Sequence, residues 1–337
     1  MKTADSDSPS RLMIAAAFAA IYVIWGSTYL AIKYAIETVP PFLMTAVRFA
    51  IAGGVLYLWS AFRAGREPAA HISQPSRALI WRDAFIVGAL LILGGTALVG
   101  WAELAVPSGI TSLILASTPL WMALCEGIGA RRAPSPRVMA GLLVGLVGLA
   151  ILIGPALVTP GQAANLLGVL ALLVASLAWT VGALYSRRAA LPSSPARATG
   201  VQMLAGGALS LVVGLLLGEH RILSLSAITP ASLFAIAYLI VFGALIGFSA
   251  YLWLMRVSTP SRVATHAYVN PVVAVLLGWA MLGEAVTMRT IVAMAVIVAA
   301  VVLIVSAPVR STAVEPRAIG SEPEPAAPRR RLAQRAA

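Results

Sequence analysis

The sequence predicts an all-α integral membrane protein with ten transmembrane helices, arranged as two inverted repeats of five helices each. Three observations lead to this fold class: a series of long apolar stretches, a recurring spacing of about 154 residues, and an uneven distribution of basic residues. Of the 337 residues, 60% are hydrophobic and only 11% are charged. Soluble proteins carry about 25% charged residues, so a chain of this composition is expected to lie in a membrane.

Ten apolar stretches can be marked along the chain. Each is close to the roughly 20 residues that a helix needs to cross the bilayer core. Hydrophobicity does not alternate with a period of two, as it would in the strands of a membrane barrel. The ten stretches cover residues 12–33, 40–62, 84–102, 107–129, 138–158, 166–186, 198–217, 231–254, 263–282 and 290–307.

Corresponding spans of the two halves share sequence features at a nearly constant spacing. Trp25 in the first span and Trp179 in the sixth are 154 residues apart, and the same distance separates Arg48 from Gln202. A Gly-Ala-Leu sequence occurs in both the third and the eighth span, at Gly88 and at Gly243, 155 residues apart. Because each half has an odd number of spans, the second half enters the membrane from the opposite side, which defines an inverted repeat.

The duplication also predicts the domain organisation. A polar lead precedes the first repeat, a linker on the outer side joins the repeats, and a Pro- and charge-rich tail expected to be disordered follows the second. These five segments are residues 1–11, 12–154, 155–165, 166–306 and 307–337.

The net charge of +12 arises from 24 basic and 12 acidic residues, and the basic residues indicate topology. If the N-terminus is cytoplasmic, 20 basic residues lie on the inner side, three lie on the outer side and Arg48 lies within a span. Cytoplasmic loops carry such an excess of Lys and Arg. Both termini are therefore predicted to be cytoplasmic, and the charge gives no reason to expect a nucleic-acid partner.

Two apolar stretches carry a polar residue followed by proline at matching places in the two halves. These pairs are Thr118 with Pro119 in the fourth span and Asn270 with Pro271 in the ninth. Proline removes a backbone donor and disfavours helical geometry in the residue before it. Broken helices at corresponding positions of two repeats are the best sequence-level indication of a transporter's binding site.

Arg48 lies about eight residues into the second span, roughly 12 Å along the helix. A charge near the centre of a membrane helix costs about 2.5–3.5 kcal/mol on insertion scales, so Arg48 is expected to face a cavity or a partner. It could bind the carboxylate of a substrate. Alternatively, it could be a structural charge that pairs with Glu103 or extends outward to the membrane surface.

Other polar residues are candidates for the same cavity. Glu103, at the end of the third span, could pair with Arg48 or line the outer mouth. His266 and Asn270 are four residues apart and share one helix face. His266 could couple transport to protons, because histidine titrates near neutral pH, or it could only satisfy a buried carbonyl.

Aromatic residues could form the walls of the cavity. Some of them should instead lie at the membrane–water interface, where Trp and Tyr are enriched, and Trp101 and Tyr251 are the main candidates for that location. The aromatic candidates for the cavity are Trp25, Tyr29, Trp101, Trp179, Tyr185 and Tyr268.

The fifth and tenth spans carry small residues at helical spacing, Gly141 with Gly145 and Ala295 with Ala299. Small residues at such spacings let two helix backbones approach closely in lipid. Both spans are therefore interpreted as framework helices outside the site.

Taken together, several short motifs resemble the EamA family of the drug/metabolite transporter superfamily and, within it, the YedA-like inner-membrane exporters. The resemblance extends over about residues 12–306. It implies a multi-pass protein of the bacterial inner membrane that exports amino acids or related small metabolites from a central cavity between two EamA repeats. The motifs are IWGSTY (24–29), PP (40–41), RF (48–49), VPSG (106–109), AYVNPVVAVLLG (267–278) and GE (283–284).

The sequence gives no reason to expect an enzyme, a metal site or a cofactor. It contains no Walker A motif, HExxH motif or nucleophile elbow. The single cysteine, Cys125, excludes an intramolecular disulfide, and the three histidines are too far apart to form a local metal motif.

The predicted function is therefore a secondary transporter that exports small metabolites by alternating access. The expected partners are a small-molecule substrate, protons if His266 couples transport, and the lipid bilayer, with the chain a monomer or a homodimer. Two alternatives stay open: an uncoupled facilitator of the same solutes, and an integral membrane enzyme that acts on a lipid-linked substrate.

Overall fold

The computed structural model describes residues 10–64, 75–106, 111, 114–129, 133–157, 166–282 and 286–307. Within these residues all regular structure is helical, and we number the main helices α1–α10 in chain order. Three one-turn helices, Glu219–Ile222, Leu225–Ala227 and Pro260–Val263, lie between them. The first half contains α1 (Arg11–Ile36), α2 (Pro41–Ala64), α3 (Arg77–Ala102), α4 (Thr118–Gly129) and α5 (Pro136–Leu157). The second half contains α6 (Leu166–Ser186), α7 (Pro195–Leu216), α8 (Pro230–Val257), α9 (His266–Leu282) and α10 (Met288–Val305).

Seven of these helices are long and apolar enough to cross a membrane, judged by length and composition: α1, α2, α3, α6, α7, α8 and α10. The chain is thus an all-helical, multi-pass membrane protein. In α5 the apolar run Pro136–Gly148 is shorter, and α4 and α9 have 12 and 17 residues. The last two are short because each begins directly after a turn, so the apolar residues before the turn do not belong to the same helix.

Several helices begin at a hydroxyl side chain that caps the free backbone N–H groups of the first turn. Helix α2 instead receives its cap from the second half. The Glu219 carboxylate accepts hydrogen bonds from the backbone N–H groups of Phe42 at 3.2 Å and Leu43 at 2.8 Å. A negative charge at this position also complements the positive end of the helix dipole. The hydroxyl caps are Ser10, Ser76, Ser194, Thr229 and Thr287.

The third helix of each half contains a π-helical segment, which the sequence analysis did not predict. In α3 the segment is Gly88–Ala97, and in α8 it is Leu239–Phe248. The hydroxyl of Thr96 follows the wider π-helical spacing, because it donates to the carbonyl of Leu91, five residues earlier, at 3.0 Å. Segments of this kind are rare and are frequently found at functional sites.

The turns near the proline-containing helices differ from the expected breaks. In the first half the turn is at residues 116–117, directly before Thr118 and Pro119 begin α4. In the second half it is at residues 264–265, and Asn270 and Pro271 lie inside α9. Pro119 occupies the first turn, where its missing N–H removes no helical bond. Pro271 removes one backbone hydrogen bond of α9, and the helix continues through it.

The two halves pack through equivalent pairs of helices. Helix α1 contacts α8 and α9 of the second half, and α6 contacts α3 and α4 of the first. Helix α2 packs along α7, where a side chain on Gly53 would lie 2.8 Å from Met203. The first helix of each half is thus held between the third and fourth helices of the other.

Helices α5 and α10 form a separate pair. Gly141 lies against Ile304 and Gly148 against Ile297, so glycine allows these two helices to approach closely. Gly145, the predicted partner of Gly141 in this contact, lies instead against Tyr268 of α9. The prediction that Ala295 and Ala299 form the contact face of α10 is wrong, because both residues are exposed. The contact face of α10 instead carries larger aliphatic side chains opposite the glycines.

Candidate functional site

A cavity of about 120 Å³ lies between the two halves. Helices α1, α2, α3, α4, α6, α8 and α9 line it, together with Leu115 just before α4. Both π-helical segments contribute, through Gly95 and Thr96 in α3 and Phe248 in α8. The polar and aromatic lining residues are Trp25, Thr28, Arg48, Phe49, Thr96, Thr118, Ser176, Trp179, Phe248, His266 and Asn270.

Arg48 is the cationic side chain that lines this cavity. It is 4% exposed, and its guanidinium carbon lies 4.9 Å from the centre of the Phe49 ring. Its Nε has no hydrogen-bond partner, and no ion pair joins Arg48 to Glu103. The structural pairing of these two residues, left open by the sequence, is therefore not present, and the guanidinium is available to a ligand of opposite charge.

Trp25 and Trp179, the residues at equivalent positions of the two halves, meet in the aromatic wall. Their rings are 5.5 Å apart in an edge-to-face arrangement, a favourable geometry for aromatic pairs. The Nε1 of Trp25 donates to the carbonyl of Gly243 at 3.2 Å, and the Nε1 of Trp179 donates to the hydroxyl of Tyr251 at 2.9 Å. Each indole N–H is thus satisfied and each ring orientation is fixed.

Each tryptophan also rests on a glycine in the π-helical segment of the other half. A side chain on Gly247 in α8 would lie 2.5 Å from Nε1 of Trp25, and one on Gly95 in α3 would lie 2.8 Å from Cε3 of Trp179. Atoms at these distances would overlap, so both rings need the absence of a side chain. The two glycines are 152 residues apart, which extends the duplication to the walls of the cavity.

Neutral polar side chains lie on other sides of the cavity. Thr118 and Ser176 exchange a hydrogen bond of 2.8 Å between their hydroxyl groups. Asn270 is 3% exposed, and its Oδ1 has no hydrogen-bond partner. A buried carbonyl oxygen of this kind costs free energy unless a donor reaches it, so Asn270 is suited to accept from a ligand N–H or O–H.

His266 is fixed by a backbone carbonyl and two aromatic rings. Its Nδ1–H donates to the carbonyl of Val263 at 2.9 Å, and its ring lies 4.9 Å from Trp25 and 5.6 Å from Tyr251. This bond leaves Nε2 as the nitrogen that can accept a hydrogen bond or a proton. The contact with Val263 corresponds to the structural role of His266, the alternative to proton coupling.

The structure brings together six of the predicted residues: Trp25, Arg48, Thr118, Trp179, His266 and Asn270. The other candidates whose side chains the structure describes do not line the cavity. Trp101 packs at the far end of α3, and Glu103 follows that helix with its Oε1 unpartnered. Pro119 and Pro271 lie within α4 and α9 beside cavity residues, and the side chain of Tyr29 lies outside the described part of the structure.

Two of the predicted tyrosines have partners elsewhere. Tyr268 is fully buried against Gly145, and its hydroxyl donates to the carbonyl of Leu142 at 3.1 Å. The hydroxyl of Tyr185 donates to Asp83 at 2.9 Å, at the arginine-rich end of the molecule. Both residues therefore join helices to one another and do not face the cavity.

Several residues at the cavity wall or directly behind it are not predicted by the sequence. Tyr251, predicted at the membrane interface, is instead fully buried beside Trp25, with their ring centres 5.1 Å apart. Thr28 and Ser176 are one turn or less from Trp25 and Trp179 on α1 and α6 and line the same cavity. Their position next to two duplicated tryptophans was a signal that could have identified them.

A buried cationic and aromatic cavity between two similar halves of a membrane helix bundle defines a transporter-like protein. Comparison with known families makes this assignment firm, because residues 12–154 and 166–306 each match the EamA-like transporter family. The chain belongs to this family of membrane transporters, and the resemblance seen in its motifs is confirmed. This is a transporter family and not an enzyme family, so the alternative of a membrane enzyme is not supported.

Individual relatives agree with the family match. The chain is 36% identical over 291 residues to the "uncharacterized inner membrane transporter YedA" of Escherichia coli strain K12, covering 85% of this chain and 88% of the relative. It is 23% identical to the "uncharacterized transporter YoaV" of Bacillus subtilis strain 168, covering 80% and 89% of the two chains. Similarity to YedA and the apolar helices make it a multi-pass protein of the inner membrane.

A solved structure supports the fold independently. A crystal structure superposes with a TM-score of 0.68 and 23% sequence identity, covering 87% of this chain and 97% of the other. At this identity the match concerns the fold alone.

Proposed function

We propose that this protein is a secondary transporter that exports small carboxylate-bearing metabolites, such as amino acids or related compounds, by alternating access. The observation that supports the substrate class is Arg48, a buried cation that lines the cavity between the two halves and has no carboxylate partner among the described residues. A planar guanidinium can bind both oxygens of a carboxylate. An incoming anion would supply the missing counter-charge.

The remaining lining residues suit the rest of such a substrate. Asn270 offers a carbonyl oxygen without a partner for an amino or amide N–H. Phe49, Phe248, Trp25 and Trp179 offer apolar ring surface for a side chain. We propose these groups as the binding residues, with the carboxylate at Arg48 and the nitrogen at Asn270.

For alternating access, we propose ten membrane helices in two inverted repeats, with both termini in the cytoplasm. Two small hydrogen-bonded clusters at opposite ends of the molecule support this symmetry. In the first, which we call the Asp83 latch, the carboxylate at the start of α3 accepts from the hydroxyl of Tyr185 at 2.9 Å and the N–H of Ala190 at 2.6 Å. It thereby joins α3 to the end of α6 and the turn that follows.

The second cluster, the Ser232 latch, occupies the corresponding place with the halves exchanged. The hydroxyl of Ser232, at the start of α8, donates to the carbonyl of Tyr34 at 2.6 Å and accepts from the hydroxyl of Thr38 at 2.7 Å. It joins α8 to the end of α1. A transporter that opens alternately to its two sides needs separable contacts at both ends, and these latches have that arrangement.

Proton coupling through His266 is part of the proposal, and uncoupled facilitation is the second candidate. The accepting Nε2 supports coupling, whereas the hydrogen bond from Nδ1–H to Val263 supports a structural role. A proton gradient imposed on proteoliposomes separates the two. Coupled export requires that the gradient drive accumulation of the substrate, and a facilitator would only equalise its concentrations.

The substrate site is tested by transport in proteoliposomes with Arg48→Lys, Arg48→Gln and the control Arg137→Gln, an exposed arginine on α5. A hydrogen bond to a charged group contributes about 1.5–3 kcal/mol. Arg48→Gln should therefore raise KM for a carboxylate substrate by about 10- to 100-fold, and Arg48→Lys by less. Abundance in the membrane should stay near that of the control. An unchanged KM in Arg48→Gln at normal abundance would exclude Arg48 as the carboxylate site.

A further inference from the structure

A second cavity of about 400 Å³ lies at the arginine-rich ends of four helices. It is formed by α1 and α2 of the first half and by α7 and α8 of the second, and it shares no lining residue with the central cavity. Apart from Thr199, Ser249 and Arg256, every lining residue is apolar. The polar groups of this cavity therefore belong to three side chains, and the rest of its wall is apolar.

Three exposed arginines lie at its outer edge or next to it. Arg256 lines the cavity, and the guanidinium carbon of Arg63 lies 4.7 Å from the centre of the Trp59 ring, which also lines it. Arg197 follows the lining residue Ala196 on α7, and its guanidinium carbon lies 5.3 Å from the centre of the Tyr57 ring on α2. Among the residues that the structure describes, no acidic side chain lines this cavity, and their one ion pair is elsewhere, between Arg82 and Asp83. The edge therefore carries uncompensated positive charge.

The face of α8 that lines the cavity carries two polar side chains at different positions along the helix axis. Ser249 and Arg256 are seven residues apart, so they lie on the same face and about 10 Å apart along the helix. The hydroxyl of Ser249 is buried and has no hydrogen-bond partner. Leu252 and Trp253 lie between the two polar residues and also line the cavity. A cation at the edge, a lone donor at depth and apolar walls match the order of groups in a phospholipid.

We propose that this cavity binds an acidic phospholipid from the leaflet on the arginine-rich side of the membrane. Its anionic headgroup would lie among Arg256, Arg63 and Arg197, and an acyl chain would fill the apolar interior. The Ser249 hydroxyl is positioned to donate to an ester carbonyl. Acidic lipids attract basic groups at the cytoplasmic surface, and tryptophans such as Trp59 and Trp253 are enriched at the interface.

Lipid in this cavity would act on both halves at once. The cavity is bounded by α1 and α8, and these helices also carry Trp25 and Gly243 of the central site. Bound lipid should therefore hold α1, α2, α7 and α8 together and raise the thermal stability of the protein. The proposal depends on the membrane location and not on the substrate assigned to Arg48.

The test uses the full-length protein, delipidated in detergent and titrated with dioleoylphosphatidylglycerol or with dioleoylphosphatidylcholine. Binding is followed by native mass spectrometry and by the melting temperature. We expect the acidic lipid to bind more tightly and to raise the melting temperature more. Each arginine near the surface contributes about 1 kcal/mol to such binding, so Arg256→Gln and Arg63→Gln should each weaken it by about fivefold.

Arg137→Gln is the matched control and should retain the full preference for phosphatidylglycerol, as should Arg48→Gln, which tests independence from the substrate site. Equal binding of the two lipids would overturn the proposal. So would a preference that both Arg256→Gln and Arg63→Gln retain. If inorganic phosphate or chain-free glycerophosphoglycerol stabilised the protein as well as the lipid, the site would bind a phosphate group and not a phospholipid.

Discussion

At the residue scale, Gly243 supports two side chains of the central cavity. Its carbonyl accepts the hydrogen bond from Trp25, and a side chain in its place would lie 2.6 Å from Nη2 of Arg48. The guanidinium thus occupies space that exists because residue 243 has no Cβ. We therefore interpret Gly243 as a positioning residue for the cation.

Gly243→Ala should displace the guanidinium of Arg48 and raise KM for a carboxylate substrate by about tenfold, with membrane abundance unchanged. The reason is the overlap of the new methyl group with Nη2, which moves the cation by a fraction of an ångström or more. Gly54→Ala on α2 is the control, because nothing lies within 4 Å of a side chain at that position. Transport kinetics in proteoliposomes measure the effect. Equal KM values for the two alanine variants would contradict this role of Gly243.

Some cavity residues could be predicted from the sequence and others could not, for a physical reason. Arg48 was identifiable because a charge inside an apolar span is costly and needs a cavity or partner. Trp25 and Trp179 were identifiable because they recur at the repeat spacing. Tyr251 and Tyr268 could not be placed, because a tyrosine suits both a buried hydrogen bond and the membrane interface. Only the packing of other helices decides between the two environments.

At the scale of elements, the two latches differ in chemistry although they occupy equivalent positions. The Asp83 latch uses a carboxylate that also accepts from Nε of Arg82 at 2.8 Å, whereas the Ser232 latch uses uncharged groups alone. Hydrogen bonds to a charged group are about twice as strong as those between neutral groups. The contact at the Asp83 end is therefore expected to be the more stable of the two.

Asp83→Asn should weaken its latch and expose the central cavity to the arginine-rich side, while Ser232→Ala should expose it to the opposite side. A single cysteine at the cavity residue Thr96, introduced in a Cys125→Ser background, reports access through its labelling by a bulky impermeant maleimide. We expect each latch variant to increase labelling several-fold from its own side of oriented vesicles. Increased labelling from the same side in both variants would contradict the assignment of the latches to opposite ends.

The helices themselves were more predictable than their irregularities. Apolar length indicated the positions of α1, α2, α6 and α7, because membrane crossing fixes how many residues a helix needs. The π-helical segments of α3 and α8 were not predictable, since their residues also suit an ordinary α-helix. The turn at residues 264–265 was displaced from Pro271 for a related reason: proline disfavours helix continuation but tertiary contacts can retain the helix through it.

At the scale of the whole molecule, the distribution of charge predicts orientation. The basic residues divide 20 to three between the two sides in the predicted topology. The arginine-rich ends of α2, α7 and α8 lie together around the second cavity, as expected if these ends face the cytoplasm. The duplication follows from the spacing, and composition predicts the number of spans, but the identity of the substrate depends on a cavity that only the folded chain contains.

Reporter fusions test this orientation. Fusions after Arg66, Arg132 and Arg188 should report the cytoplasm, and fusions after Gln162 and Glu219 should report the outer side. The physical reason is the cost of moving clustered basic residues across the membrane. Three or more fusions with the reversed location would show that the predicted topology is wrong.

The position equivalent to Arg48 in the second half is occupied by an uncharged residue. Gln202 is 1% exposed, and its Nε2 donates to the carbonyl of Ala198 at 2.9 Å. The duplication therefore repeats the shape of the cavity but not its charge. An anion bound at Arg48 therefore meets no second cation at the equivalent position of the other half. We expect such an anion to stay bound to the first half throughout a transport cycle.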